Sequence, residues 1–270
     1  MPCGIARICN DARRPKTRFH DVLHVHQLRY AWPGANDCIH IDTLDLPAGR
    51  TVFLHGPSGC GKSTLLGLMA GVLQATAGTV SLLGQSWSAL PAGARDARRA
   101  DHVGVIFQQF NLLPYLTVLD NVLLPCRFSR LRAQRCKGSP TLAAQELLRR
   151  MGLAADMLGR RADALSVGQQ QRVAAARALL GAPELVIADE PTSALDAAVR
   201  DDFMDLLLGV CAAAGSTLVF VSHDDRLAAR FDQRLSLPTL NPALATPCPR
   251  CCTSPCAARS TGAARWRWWC

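Results

Sequence analysis

Residues 51–72 read TVFLHGPSGCGKSTLLGLMAGV, and this stretch decides the fold. Thr51–His55 is a short β-rich run, and Ser63–Val72 reads as a helix. Between them, Gly56-Pro57-Ser58-Gly59-Cys60-Gly61-Lys62-Ser63 fits the phosphate-binding pattern G-x-x-x-x-G-K-[ST]. Glycines at 56, 59 and 61 let the backbone curl with its N–H groups pointing inward. Those amides and the positive end of the following helix make a nest for phosphate oxygens. The expected phosphate-contacting set is therefore Gly56, Pro57, Ser58, Gly59, Cys60, Gly61, Lys62, Ser63 and Thr64. Lys62 would reach the β- and γ-phosphates, and the Ser63 hydroxyl would hold Mg²⁺.

Further along, Leu185-Val186-Ile187-Ala188 is an apolar run of the kind that forms a fully buried parallel strand. Asp189 sits at its carboxyl end, where open α/β sheets place their ligands. That position suits a carboxylate holding Mg²⁺ through water. Glu190, one residue on, could orient or deprotonate a water attacking the γ-phosphate. Three other positions follow strand-like runs or turn signals. Gln108 comes after Val103–Phe107, His223 closes Ser216–Ser222, and Ser193-Ala194-Leu195-Asp196 follows Pro191.

With these residues in order, the segment LSVGQQQRVAAARALL (Leu165–Leu180) resembles the signature of the ATP-binding-cassette family. The resemblance covers about residues 22–240. It implies that Ser166 and Gly168 contact the γ-phosphate held by a second copy's P-loop, with Gln169 also counted among the nucleotide-binding residues. Val167 stands where the family's LSGGQ has its first glycine, which implies altered loop packing and not inactivity. By the same resemblance Gln108 is the glutamine that senses Mg²⁺ and the transport partner. Asp196 belongs to a loop that passes information between subunits, and His223 is the histidine that contacts the γ-phosphate. Tyr30, 26 residues before Gly56, resembles the aromatic that stacks on adenine. Trp32 is the competing candidate, and core packing is the other reading of Tyr30. The stretch FQQFNLLPYLTVLDNV (Phe107–Val122) is similar to the branch serving lipoprotein-releasing systems, macrolide-type exporters and heterocyst glycolipid exporters.

The expected fold is α/β, a P-loop core with a mostly parallel sheet. A small antiparallel β region at Val22–Leu46 and a helical subdomain at about 113–165 would complete it. Residues 48–112 and 182–232 are expected to build the parallel core. The domain would span 21–240, preceded by a basic extension (1–20) and followed by a Cys/Arg/Trp-rich tail (241–270). The formal net charge is +9. Residues 1–20 and 234–270 carry all of it, and 21–233 balances to zero. A basic pI is therefore no argument for a nucleic-acid groove, and no nucleic-acid partner is expected.

The tail from Thr246 holds five of the twelve cysteines and ends Arg265-Trp266-Arg267-Trp268-Trp269-Cys270. A zinc site, an acidic-membrane contact and a disordered or frameshifted extension are its three readings, and it is assigned no function. Cys38, Cys126, Cys136 and Cys211 are scattered singly, unlike a secreted disulfide framework, so a reducing cytosol is expected. Cys60, inside the nest, is expected to react with thiol reagents and to be protected by ATP.

No stretch approaches 18 consecutive apolar residues, so a separate integral membrane permease would have to supply a transport pathway. The resemblance implies an ATP- and Mg²⁺-dependent ATPase, homodimeric when ATP is bound. It would sit on the cytoplasmic side of the inner membrane through its permease, with a lean toward export. The alternative is a soluble ATPase of the same superfamily acting on DNA or ribosomes. Only about 100 residues separate Lys62 from Leu165, without sustained heptads, which argues against the DNA clamps. A single cassette argues against the ribosomal type.

Overall fold

The computed structural model describes residues 21–193 and 195–241. The expectations for the basic extension, for the tail beyond 241 and for Ala194 lie outside the described residues.

Two sheets organise the chain. The first begins with β1 (Asp21–Ala31) and β2 (Asp37–Pro47), which pair antiparallel with Val25 opposite Leu44 and Tyr30 opposite Ile39. The alternation along β1 buries Leu23 and Val25, then Leu28 and Tyr30. The shift of phase falls at Gln27, whose φ is +46°. β3 (Thr51–His55) belongs to the second sheet and leads through the glycine-rich loop into α1 (Lys62–Met69). β4 (Ala77–Leu82) and β5 (Gln85–Ser86) return to the first sheet, giving the order β2-β1-β4-β5. This corrects the sequence expectation, which put everything from 48 to 112 in the parallel core. A strand's partner is set by tertiary packing, and nothing local in AGTVSL names it.

After α2 (Ala92–His102), β6 (Val103–Ile106) enters the second sheet. Three helices then follow in succession, α3 (Val118–Phe128), α4 (Arg130–Arg135) and α5 (Pro140–Arg150). The long α6 (Val167–Leu179) precedes β7 (Leu185–Asp189). The chain continues with α7 (Ala197–Ala214), β8 (Thr217–Val221), β9 (Gln233–Ser236) and α8 (Leu237–Leu240).

The second sheet has the order β6-β7-β8-β3-β9, and every pair in it is parallel. Period-two alternation splits its side chains between two cores. Val52, Leu54, Leu185, Ile187, Val219 and Val221 join one apolar cluster with α1 and the antiparallel sheet. Phe53, Val186, Ala188, Leu218 and Phe220 join the other, with α3, α5, α6 and α7. The parallel sheet is thus the middle layer, buried on both faces, which is why its strands read as unbroken apolar runs. At Gly104 on β6 a Cβ would lie 2.3 Å from the Ala178 carbonyl oxygen, so α6 closes on the sheet only because that residue is glycine. Among the described residues, no helix is long and apolar enough to cross a membrane.

Candidate functional site

Parallel strands all deliver their carboxyl ends to the same edge, and four of them deliver chemistry there. β3 ends in the glycine-rich loop, β6 runs on to Gln108, β7 ends at Asp189 and β8 ends one residue before Ser222-His223. The loop turns into α1 through Gly61, which has φ +90° and occupies the helix N-cap. With no acidic side chain in the first turn, the N-terminal amides of α1 remain available to an anion.

Lys62 is buried, and its ammonium group donates to the carbonyls of Gly56 (3.0 Å) and Pro57 (3.1 Å). It lies 3.3 Å from His223 Nε2 and 3.9 Å from Glu190 Oε1. His223 Nε2 and Glu190 Oε1 are 2.6 Å apart. One imidazole nitrogen cannot both donate to Glu190 and accept from Lys62. Two of the three Lys62 protons go to the carbonyls, and the shorter 2.6 Å contact assigns the Nε2 hydrogen bond to Glu190. Glu190 itself has φ +46°, a sparsely populated conformation for a non-glycine residue. Its N–H donates to the Val221 carbonyl (3.1 Å), and its own carbonyl accepts from Ser193 N–H (3.2 Å).

Asp189 accepts from the Ser63 hydroxyl at 3.3 Å. Burial pushes its carboxyl above the ordinary aspartate range, and the neighbouring Glu190 charge adds to this; Ser63 and Lys62 oppose it. Asp189, Ser63, Gln108, Gln109 and Asn111 line an open cleft of about 330 Å³. The structure therefore gathers Lys62, Ser63, Gln108, Asp189, Glu190 and His223 along one edge of the sheet.

The signature residues stand elsewhere. Ser166 caps α6, accepting from Gln169 N–H, while the Gln169 side chain accepts from Ser166 N–H (3.0 Å). Gln169 is thus occupied in a reciprocal cap, and neither residue lines the cleft. Val167 is exposed. At Gly168 a Cβ would meet nothing closer than Val199 Cγ1 at 3.5 Å, ordinary contact, so the fold of one copy does not demand glycine there. Asp196 caps α7 through Val199 N–H (3.1 Å).

Two expected contacts fall on buried side chains. Tyr30 falls on an inward position of β1 and is only 7% exposed, packed in the core, whereas Trp32 is 43% exposed just past the strand end. The two rings meet edge to face, 5.3 Å between centroids. Ile39, opposite Tyr30 on β2, lies against the P-loop, its Cδ1 3.0 Å from where a Gly61 Cβ would be. Cys60 is the second, and here the expectation of a thiol inside the nest is corrected. Its thiol does not face the nest; the residue is 5% exposed, and Sγ packs under the loop 2.8 Å from where a Gly56 Cβ would be. Only its backbone can serve the phosphate nest.

The sequence reading also missed two side chains of α6. Gln171, fully buried, donates to the Pro191 carbonyl (2.9 Å), directly after Glu190. Arg177 spans the carbonyls of Asn111 and Phe110, 2.7 Å each, where both residues hold positive φ. The signal for Gln171 was present. It shares a helical face with Ala174, Ala175 and Ala178, all buried, so it is a polar residue on a core stripe.

A phosphate nest, a carboxylate pair and a histidine on one edge of a parallel sheet define a P-loop nucleotide-binding domain of α/β type. The family model described as "ABC transporter" matches residues 39–193, and the chain belongs to that family. It is 41% identical over 224 residues to "Uncharacterized ABC transporter ATP-binding protein YbbA" of Escherichia coli (strain K12), covering 80% of this chain and 94% of the relative. It is 43% identical to "Lipoprotein-releasing system ATP-binding protein LolD" of Anaeromyxobacter dehalogenans (strain 2CP-C), over 77% of this chain and 85% of that one. Among solved structures it resembles the dimeric post-hydrolysis state of the ATP-binding cassette MJ0796 bound to ADP and Pi. The TM-score is 0.68 at 32% identity, covering 79% of this chain and 93% of that one. These relatives agree with the branch that the sequence around Gln108 resembles.

Proposed function

We propose that this chain is the ATP-hydrolysing subunit of a membrane transporter. Two copies would close around two ATP·Mg²⁺, each P-loop facing the other copy's Ser166–Gly168. The observation that carries this reading is the Lys62–His223–Glu190 cluster at the carboxyl edge of the sheet.

The chain's own residues divide the work. The loop amides and the N-terminus of α1 hold the phosphates, and Lys62 exchanges its two carbonyl partners for phosphate oxygens. Glu190, tied to His223 in this structure, is released when His223 turns toward the γ-phosphate, and then orients and deprotonates water. Catalysis of this kind is mainly positioning and electrostatics. The cleft-side donors Ser63, Asp189 and Gln108 all offer oxygen, which fits a hard cation such as Mg²⁺. Bound there, Mg²⁺ would neutralise phosphate charge and offset the cost of ionising Asp189 within the fold.

The MJ0796 cassette was captured as a dimer with ADP and Pi, which supports closure and hydrolysis here. LolD is named for a lipoprotein-releasing system, which supports a partnership with a separate permease and a lean toward export. Glu190→Gln should keep ATP affinity, lose at least ~100-fold in hydrolysis and accumulate as an ATP-bound dimer on size exclusion. Wild-type turnover in that variant would remove Glu190 from the role. Purifying the same variant with ATP from solubilised membranes should bring an integral membrane protein with it. Recovery with DNA-binding or ribosomal proteins instead would overturn the transport assignment.

A further inference from the structure

Away from the nucleotide edge, two sulfurs lie in contact. Cys126 Sγ, in the last turn of α3, is 3.7 Å from Cys136 Sγ, which caps α4 ten residues later. Cys136 also donates its thiol proton to the Arg132 carbonyl at 3.2 Å. That places the proton between the two sulfurs on Cys126 and turns a Cys136 lone pair toward it.

The helices joined by this contact have different attachments. α4 is bolted to the parallel core. Buried Arg132 reaches the carbonyls of Asp101 and Ala178, and Arg135 pairs with Glu184 at 2.6 Å. α3 packs on the same core through buried Val118 and Val122, and it also carries the chain that follows Gln108. Its buried Asn121 accepts from Leu113 N–H (2.8 Å) and donates to the Leu113 and Thr117 carbonyls (3.0 Å each). A bond between the sulfurs would weld the helix that holds residues 113–117 to the helix that is fixed on the core.

We propose that Cys126 and Cys136 are a reversible redox pair, oxidised by peroxide to a disulfide that locks α3 onto α4. The chemistry balances with hydrogen peroxide as the oxidant. The Cys126 sulfur attacks one peroxide oxygen, the O–O bond breaks, and the leaving hydroxide is protonated to water. The Cys136 sulfur then attacks the resulting sulfenic acid, the S–O bond breaks, and a second water leaves. Two sulfurs lose two electrons, and the peroxide gains them.

Burial pushes the Cys126 thiol up to about 12, with Cys136 adding to the effect and Arg132 opposing it. The thiolate, which is the reacting form, is therefore scarce near neutrality, and the oxidation is slow. A transient bond of this sort is the form disulfides usually take in reducing compartments. The proposal does not depend on the ATPase reading.

The test uses the full chain, reduced and then held in hydrogen peroxide, with free thiols alkylated before tryptic digestion. Arg127, Arg130, Arg132 and Arg135 place cleavage sites between the two cysteines, so the bond joins two separate peptides. The expected product is that cross-linked pair, two hydrogens lighter than its parts, restored by dithiothreitol and absent from Cys126→Ser and Cys136→Ser. The oxidised chain should also melt higher by roughly 5–10 °C, because the bond closes a loop of about eleven residues in the unfolded chain. Recovery of both cysteines alkylated, or of Cys126 joined to a different cysteine, overturns the pairing. A cross-link that leaves the melting temperature unchanged overturns the lock.

Discussion

At the scale of single residues, what was legible depended on whether a motif fixes the residue's direction or only its type. Lys62, Ser63, Asp189 and Glu190 could be placed on one sheet edge from the sequence, because a strand end and a helix start dictate where they point. Cys60 could not. A position within the loop says nothing about whether a side chain turns toward the ligand or into the core, and here it packs under Gly56. The aromatic at the nucleotide end turns on the same point. The irregularity at Gln27 shifts the phase of β1, sending Tyr30 inward and leaving Trp32 exposed. The ring that stacks on adenine should therefore be Trp32. Stacking on an aromatic is worth about 1–3 kcal/mol per base, so Trp32→Ala should weaken ATP binding about tenfold by isothermal titration calorimetry. Tyr30→Phe should leave it unchanged. An alanine variant that binds as tightly as the parent would take the role away from Trp32.

At the scale of elements, the buried strands were readable because a parallel sheet covered on both faces turns each strand into an apolar run. How α2, α4 and β7 are joined was not readable, because their contacts are ionic and far apart in sequence. Glu184, just ahead of β7, receives His102 Nδ1 at 2.9 Å and the Arg135 guanidinium at 2.6 Å. Burial raises its carboxyl, but the hydrogen bonds from His102 and Arg135 outweigh this and take it down to about 2. A carboxyl lower in the folded chain than in the unfolded one stabilises the fold above the unfolded value. That stability is lost as pH falls through the folded one. Between pH 4.5 and 2 the chain should therefore lose on the order of 2–3 kcal/mol from this group alone. Denaturant unfolding across that range should show the loss in the parent and a flatter profile in Glu184→Gln. Parallel profiles would mean that the three groups are neighbours without a stabilising tie.

At the scale of the whole molecule, the fold and the proposed closure of two copies would impose separate demands on α6, and one residue separates them. The core side of the helix is committed to the fold through Gln171, Arg177 and the alanine stripe. Its N-terminus carries Ser166, Val167 and Gly168 away from the chain's own cleft. Gly168 has room for a methyl group and no left-handed backbone, so nothing within one copy explains a glycine in the first turn where alanine, the better helix former, would fit. Close approach of a second copy's nucleotide would explain it. Gly168→Ala should accordingly melt at the same temperature as the parent or slightly higher. ATP-driven dimerisation, followed by analytical ultracentrifugation in the Glu190→Gln background, should need at least tenfold more protein. If Gly168→Ala dimerises and turns over like the parent, the glycine serves no interface. Closure through Ser166–Gly168 would then have to be replaced by another arrangement of the two copies. If instead the variant both melts lower and fails to dimerise, the methyl group disturbs α6 itself, and the separation of fold from assembly argued for this helix does not hold.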